Sequence, residues 1–275
     1  MPTQVPEPIA MVVKQAGDVR IHTVVSPFTS GNIANATHII ETRNQLVLVD
    51  AQFLAPCASA FRNYADSLGK PIERLYLSHR HPDHWFGLGT AFGDIAIYAL
   101  PETLSFIQEH GEDSVSDHWK LGDLAPSRIV VPQKVASPGD ETIDGVRYVF
   151  DQVVEAEIDF QLTIGLPDLG VYFAQDLIYS GTHLYLTKQM GHWIRVLQKM
   201  LLTDYELFMP GHGLPADKSE VARNIEYLSA AQQAIGNGLA DEAFKEFMLQ
   251  RYPERRCPGI FDIYLPRLFG DASDY

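Results

Sequence analysis

The order of segments predicts an α/β protein in which two β-sheets are covered by helices. Strand-type runs alternate with stretches of helical spacing, and this alternation occurs twice along the chain. No Pro/Gly/Ser-rich linker or low-complexity tract divides the 275 residues, a length within reach of one layered α/β domain. The expected organisation is a single domain over residues 1–275, with a core at about 12–215 and a helical C-terminal segment at about 216–275.

The elements follow in order. Val19 to Val25 reads as a strand, and His38 to Thr42 with Gln45 to Val49 as a hairpin around Arg43-Asn44. The run Leu46-Val47-Leu48-Val49 is apolar throughout and ends at Asp50, as in a strand buried on both faces. Pro56 to Leu68 has helical spacing and stops at Gly69, a C-terminal cap. Leu75 to Leu77 is a strand, Trp85 to Phe92 starts a helix, Ile95 to Ala99 is a strand, and Pro101 to His110 is a helix with proline at its start. Gly111 to Ser127 is polar and is expected to be an irregular loop. Arg128 to Val131 and Val146 to Val153 read as strands, and Gln161 to Leu166 with Val171 to Ala174 as a hairpin around Pro167-Asp168-Leu169-Gly170. His192 to Leu202 is helical, Glu206 to Met209 a short strand, and Ser219 to Ile235 and Ala240 to Tyr252 are helices. Arg255 to Tyr275, aromatic and proline-rich, is expected to be a packed tail.

Composition narrows the function. Hydrophobic residues make up 46% and charged residues 20%, ordinary for a globular protein. The formal net charge of -14 argues against nucleic acid and anionic membranes as partners. Cys57 and Cys257 are the only cysteines, too few for a disulfide framework. No segment approaches 18 apolar residues. Met1 to Ala10 lacks the basic start and apolar run of a signal peptide, so a cytoplasmic location is expected.

The stretch Ser78-His79-Arg80-His81-Pro82-Asp83-His84 follows the apolar run Leu75 to Leu77. Imidazole and carboxylate suit zinc and similar divalent metals. At a strand end, His79 and His81 can point at one ion, while Asp83 and His84, after the turn at Pro82, reach a second. Each ion needs about three protein ligands plus a water, so further donors must come from other strand ends. Asp176 follows the strand Val171 to Ala174, and His212 follows Glu206 to Met209, flanked by glycines that allow a tight turn close to an ion.

The set His79-x-His81-x-Asp83-His84, Phe173-Ala174-Gln175-Asp176 and Pro210-Gly211-His212-Gly213 resembles the metallo-β-lactamase superfamily of hydrolases, over roughly residues 20–215. The strand end Leu46 to Asp50 resembles its early "LVDxG" segment, with Ala51-Gln52 in place of the usual small residue and glycine. The resemblance implies an αβ/βα four-layer sandwich with a metal centre at one edge. One position departs: the family's third histidine for the first metal is missing from Val153-Val154-Glu155-Ala156-Glu157-Ile158-Asp159. Counting back from Pro167 places Glu157 there, with Glu155 as the alternative. A carboxylate is a competent zinc ligand, and the alkylsulfatase group of the superfamily is similar in having a glutamate at this place. The large additional C-terminal domains of that group have no counterpart in this sequence.

The function implied is hydrolysis of an ester-like bond (carboxylic ester, lactone, thioester or sulfate ester) of a small molecule. The expected cofactors are two divalent ions, zinc before iron or manganese, with a metal-bound hydroxide as nucleophile. His79, His81 and Glu157 would hold the first ion, Asp83, His84 and His212 the second, and Asp176 would bridge them. Asp83 is the expected catalytic residue and Asp50 an acid that orients a ligand. Trp85, Phe86, Trp119, His183, Tyr185 and Trp193 are candidates for the substrate pocket. A homo-oligomer is compatible with the sequence. The rival reading is a non-catalytic metal- or ligand-binding protein on the same scaffold, permitted by the glutamate substitution.

Overall fold

The computed structural model describes residues 5–28 and 33–270. The first sheet has seven strands in chain order: β1 (Ile9–Ala16), β2 (Val19–Val25), β3 (Ala36–Glu41), β4 (Leu46–Val49), β5 (Ile72–Tyr76), β6 (Ile97–Ala99) and β7 (Lys134–Val135). Helix α1 (Ala55–Ser67) connects β4 to β5; α2 (Pro82–Trp85) and a π-helical turn, Leu88–Phe92, connect β5 to β6; α3 (Pro101–Asp117) follows β6. The second sheet has the order β12-β11-β10-β9-β8, from β8 (Gly139–Ile143), β9 (Val146–Val154), β10 (Phe160–Leu166), β11 (Val171–Ser180) and β12 (Leu207–Gly213). Helix α4 (Met190–Leu201) lies between β11 and β12, and α5 (Lys218–Gly236), α6 (Asp241–Arg251) and α7 (Ile260–Leu268) end the chain. Helices flank both sheets, the metallo-β-lactamase-like αβ/βα sandwich. No helix among the described residues is long and apolar enough to cross a membrane.

Side-chain alternation explains the layers. Val47 and Val49 face the second sheet and pack with Tyr148, Phe150, Ile164, Phe173 and Met209. Leu46 and Leu48 point the other way, onto Phe61 of α1 and Phe92. Both faces of β4 are therefore buried, which is why its sequence is apolar throughout. The outer face of the second sheet carries Ile178 and Phe208 against Trp193, Leu197, Tyr227, Phe244 and Phe261. Gly69 ends α1 in the left-handed region at φ 70°.

Several segments differ from expectation. The helix expected over Trp85 to Phe92 is two short pieces. Gly111 to Ser127 is not irregular: α3 runs to Asp117, and a 3-10 turn spans Trp119–Leu124. The buried stripe of α3 is Thr103, Ile107, Gly111 and Ser114, helical in spacing but too small and polar to register as apolar. Gly111 lets α3 approach closely: an added Cβ would sit 3.1 Å from Ile129 Cγ2. Arg128 to Val131 forms no strand; Ile129, Val130 and Val131 pack half-buried on the first sheet's outer core, and pairing begins only at Lys134. The sequence reading missed β1 and β8, which are sheet edges with mostly exposed side chains and no strong alternation. The tail expected at Arg255 to Tyr275 packs through α7, and residues 271–275 lie outside the described residues, as do 1–4 of the N-terminal stretch.

A fully buried Glu41 at the end of β3 meets Arg20 at 2.6 Å, Lys70 at 2.8 Å and His22 at 2.9 Å. Burial acts to raise the Glu41 pKa, but the hydrogen bonds from Arg20, Lys70 and His22 outweigh it and push it down to about 2. A carboxylate held below its unfolded value stabilises fully above that value and loses the effect as pH falls towards 2. Glu41→Gln is expected to lower stability by about 3 kcal/mol at pH 7, since breaking a buried pair strands its partners. Urea unfolding at pH 7 and pH 3.5 should show the gap to wild type narrowing at the lower pH.

Candidate metal centre

The site forms where the strand ends β4 and β5 of the first sheet meet β11 and β12 of the second. Asp50 leaves β4 in a left-handed conformation, φ 60°. This turns its carboxylate to accept hydrogen bonds from Ser78 N (2.7 Å), Ser78 Oγ (2.8 Å), His84 Nδ1 (2.7 Å) and Gln175 Nε2 (2.5 Å). The chain after β5 stays pinned between the sheets: Leu77 N donates to Tyr98 O, and Leu162 N to Ser78 O. Pro82 starts α2, whose first turn carries Asp83 and His84.

His79 and His81 face one another, with Nε2 and Nδ1 3.0 Å apart. His79 Nδ1 meets Ser78 Oγ at 2.8 Å, so Nε2 is the atom left for a ligand. Glu157 Oε1 lies 3.7 Å from His81 Nδ1. A tight turn aims it inward: Glu155 is left-handed at φ 50°, Ala156 N donates to Ile158 O, and Glu157 is buried while Glu155 is exposed. Of the two glutamates, the structure brings Glu157 and not Glu155 to the cluster.

The second group is equally close. His84 Nε2 is 3.2 Å from both Asp83 Oδ2 and Asp176 Oδ1. His212 Nδ1 donates to Ile33 O at 2.8 Å, and its Nε2 lies 3.1 Å from Asp176 Oδ2 and 3.4 Å from Asp83 Oδ2. Asp176 sits inside β11 rather than after it. A left-handed Gln175, φ 45°, and shifts of register against β12 turn its side chain into the centre. Gly211 makes room: a Cβ there would lie 1.8 Å from Asp176 Oδ1. His38 Nε2 donates to Pro210 O at 3.0 Å, and burial pushes that imidazole down to about 4.

Two groups of four donors result, His79/His81/Glu157/Asp176 and Asp83/His84/Asp176/His212, each with ligand atoms within 4.8 Å of one another. The donor set fits divalent cations. His84 Nε2, Asp176 Oδ1 and Glu157 Oε2 are buried without a hydrogen-bond partner, so the short contacts lack hydrogen-bond geometry. Buried polar atoms are rarely left so, and coordination would satisfy them. The electrostatics agree. Burial raises the Glu157 carboxyl, with Asp176 adding to the effect. Burial works against charge on His84 and His212, yet nearby carboxylates, Asp176 foremost, raise both. Asp83 and Asp176 are held low despite burial, chiefly by His84. Burial lowers His79, and lowers His81 to about 4.

The expected pocket residues divide. Tyr185 lies beside the centre, its ring 5.4 Å from that of His81. Trp85, Phe86, Trp193 and His183 are not pocket walls but core: Trp85 Nε1 donates to Arg80 O, Trp193 Nε1 to Leu177 O, and His183 Nδ1 meets Tyr227 OH. Their apolar bulk serves the layers beneath the site. Trp119 stands 72% exposed on the surface after α3. The sequence reading missed Asn35, whose Nδ2 donates to Asp83 Oδ2 at 3.3 Å, and also Gln175, Ser78 and Tyr179. Only their closeness in sequence to Asp83, Asp176 or His79 could have flagged the last three.

No protein-family model matches the chain, and no curated protein does. Solved structures do. A metallo-β-lactamase from Pontibacter korlensis has TM-score 0.63 at 16% identity, covering 80% of this chain and 99% of that one. The metallo-β-lactamase FIM-1 from Pseudomonas aeruginosa, in its mono-zinc form, has TM-score 0.60 at 17% identity, covering 84% and 98%. The sec-alkylsulfatase Pisa1 from Pseudomonas sp. has TM-score 0.66 at 16% identity, covering 96% of this chain and 51% of its own, so the chain spans about half of that protein.

Gly211→Ala is expected to displace the Asp176 carboxylate and weaken divalent-metal uptake by ~10–100-fold, the range for disturbing a ligand's support. Chelator competition measures it, with circular dichroism to check that the sheets persist. The two sheets, their helical covers and the edge where the donors gather give this chain the metallo-β-lactamase fold.

Proposed function

We propose that the chain is a metal-dependent hydrolase with a dinuclear centre, cleaving an ester-like bond of a small molecule: a carboxylic ester, lactone, thioester or sulfate ester. The observation that supports it is the sharing of Asp176 by two groups of four donors. In this reading His79, His81 and Glu157 hold one ion, Asp83, His84 and His212 the other, and Asp176 serves both. Zinc suits the mixed imidazole and carboxylate set; iron and manganese also suit a site this rich in carboxylates. Such a pair of ions, when bound, lowers the pKa of a water and polarises the substrate oxygen.

The chain's own residues supply the rest. Asp50 fixes the tautomer of His84 by accepting from Nδ1, and the Ile33 carbonyl does the same for His212, leaving each Nε2 for a ligand role. Asn35 steadies Asp83 Oδ2, and the Asp83 carboxylate would orient the attacking water. His81 and Asp83 are the cluster's exposed members, with side chains 25% and 13% accessible, so substrate approaches over them and past the Tyr185 ring. The rest of the cluster is buried, which strengthens each charge interaction there. The core and the C-terminal helices act as one unit in this reading, because Arg255 and Asn224 bond to the backbone of β11.

Elemental analysis joined to a panel of ester, lactone, thioester, sulfate and phosphate substrates tests the reading. About two equivalents of metal are expected, with turnover of at least one ester-like class that a chelator abolishes. His81→Ala should remove one equivalent and lower kcat/KM more than ~100-fold, beyond the usual effect of losing an outer partner. Less than half an equivalent of metal with no turnover would instead indicate the non-catalytic binding protein.

A further inference from the structure

We propose that Tyr179 is a positioning residue of this centre: its phenol holds Glu157 in the ligand role and links the two half-sites through Asp176. The inference rests on the metal-centre reading and concerns how one unusual donor is kept in place. The Tyr179 hydroxyl lies 3.3 Å from Glu157 Oε1 and 3.2 Å from Asp176 Oδ2. Its ring stacks on His212, centroids 4.7 Å apart and planes at 12°. One side chain therefore touches a donor of the first group, a donor of the second and the one they share.

Glu157 needs such a partner. An imidazole ligand carries a second ring nitrogen whose N–H can be fixed by a carbonyl or carboxylate, as at His212 and His84. An ionised carboxylate has no donor of its own, so a donor must come from outside. Among the described residues the Tyr179 hydroxyl is the only hydrogen-bond donor to Glu157; Oε2 has no partner, and His81 at 3.7 Å is too far for a hydrogen bond. The phenol carries one proton, which the contacts to Glu157 and Asp176 share, so one hydroxyl serves a carboxylate of the first group and the carboxylate common to both.

The position of Tyr179 is itself set from behind. Asn224 on α5 accepts from Tyr179 N at 3.0 Å and donates to Tyr179 O at 2.9 Å. Arg255, beyond α6, donates to the same carbonyl at 3.3 Å. Both also bond Glu220 Oε1, and all three side chains are buried.

Tyr179→Phe keeps the ring on His212 and deletes only the hydroxyl. Zinc affinities are read by competition with a chromophoric chelator, and cobalt(II) spectra identify which site empties, with His81→Ala as the reference for a lost first site. The variant should bind the first ion ~10–100-fold more weakly and the second less affected, with the melting temperature of the metal-free protein unchanged. In a Glu157→His background the same substitution should have a smaller effect on the first ion, because the Glu157 acceptor is gone and only Asp176 remains; a merely structural tyrosine would weaken both backgrounds equally. Equal loss in both backgrounds, or no loss in a wild type that holds two ions, overturns the role of Tyr179 and leaves the metal centre standing. A wild type that holds no ion overturns both.

Discussion

The Asp50 carboxylate is the interaction on which the centre depends. It takes four hydrogen bonds, and their donors lie on three separate segments: Ser78 after β5, His84 on α2 and Gln175 in β11. A buried carboxylate without partners would be strongly destabilising, so those segments are drawn to one point. Each of them carries a donor of the cluster next to, or at, the residue that Asp50 holds. Ser78 Oγ, donating to Asp50, accepts from His79 Nδ1, His84 is aimed directly, and Gln175 fixes the peptide before Asp176. Gln175 also crosses from the second sheet to the first, so the same carboxylate fixes how the two sheets meet at the site. The left-handed backbone at Asp50 is the strain that this gathering requires.

What was legible in the sequence had a short physical range. The loop His79 to His84 declares itself because four donors fall on one strand end, and β4 declares itself because both its faces are buried. Asp176 and His212 were found as donors beside strands, although the structure places both inside strands that run longer than their apolar runs. The bulge at Gln175 explains this for Asp176: it turns one residue of a continuing strand inward, an event with no pattern of its own in the sequence. Glu157 required the resemblance as well as the sequence, since glutamates 155 and 157 alternate in a polar turn and only the backbone conformation at Glu155 decides which faces inward.

Aromatic residues near the donors in sequence are candidates for pocket walls, but Trp85 and Trp193 have indole N–H groups bonded to backbone carbonyls in the interior. Large side chains beside a metal loop are also what anchors that loop, and buried area alone cannot separate the two uses. The α3 stripe failed in the opposite direction. Thr103, Gly111 and Ser114 are buried because neighbouring elements come close, not because they are apolar. Composition reports hydrophobic burial well and close backbone approach poorly.

The charge arrangement explains why the outer helices matter to a site they do not enter. Asp50, Asp83, Glu157 and Asp176 bring four carboxylates into one buried region beside four imidazoles, and cations would offset that charge. Glu157 is a carboxylate in this group and, unlike an imidazole, has no ring N–H through which a neighbour could orient it. The constraint on it has to come from a neighbour, and that neighbour, Tyr179, lies on the stretch of β11 whose backbone is clamped by Asn224 and Arg255. A helical C-terminal layer bonded through Glu220, Asn224 and Arg255 to β11 thereby holds the strand that carries both Asp176 and Tyr179.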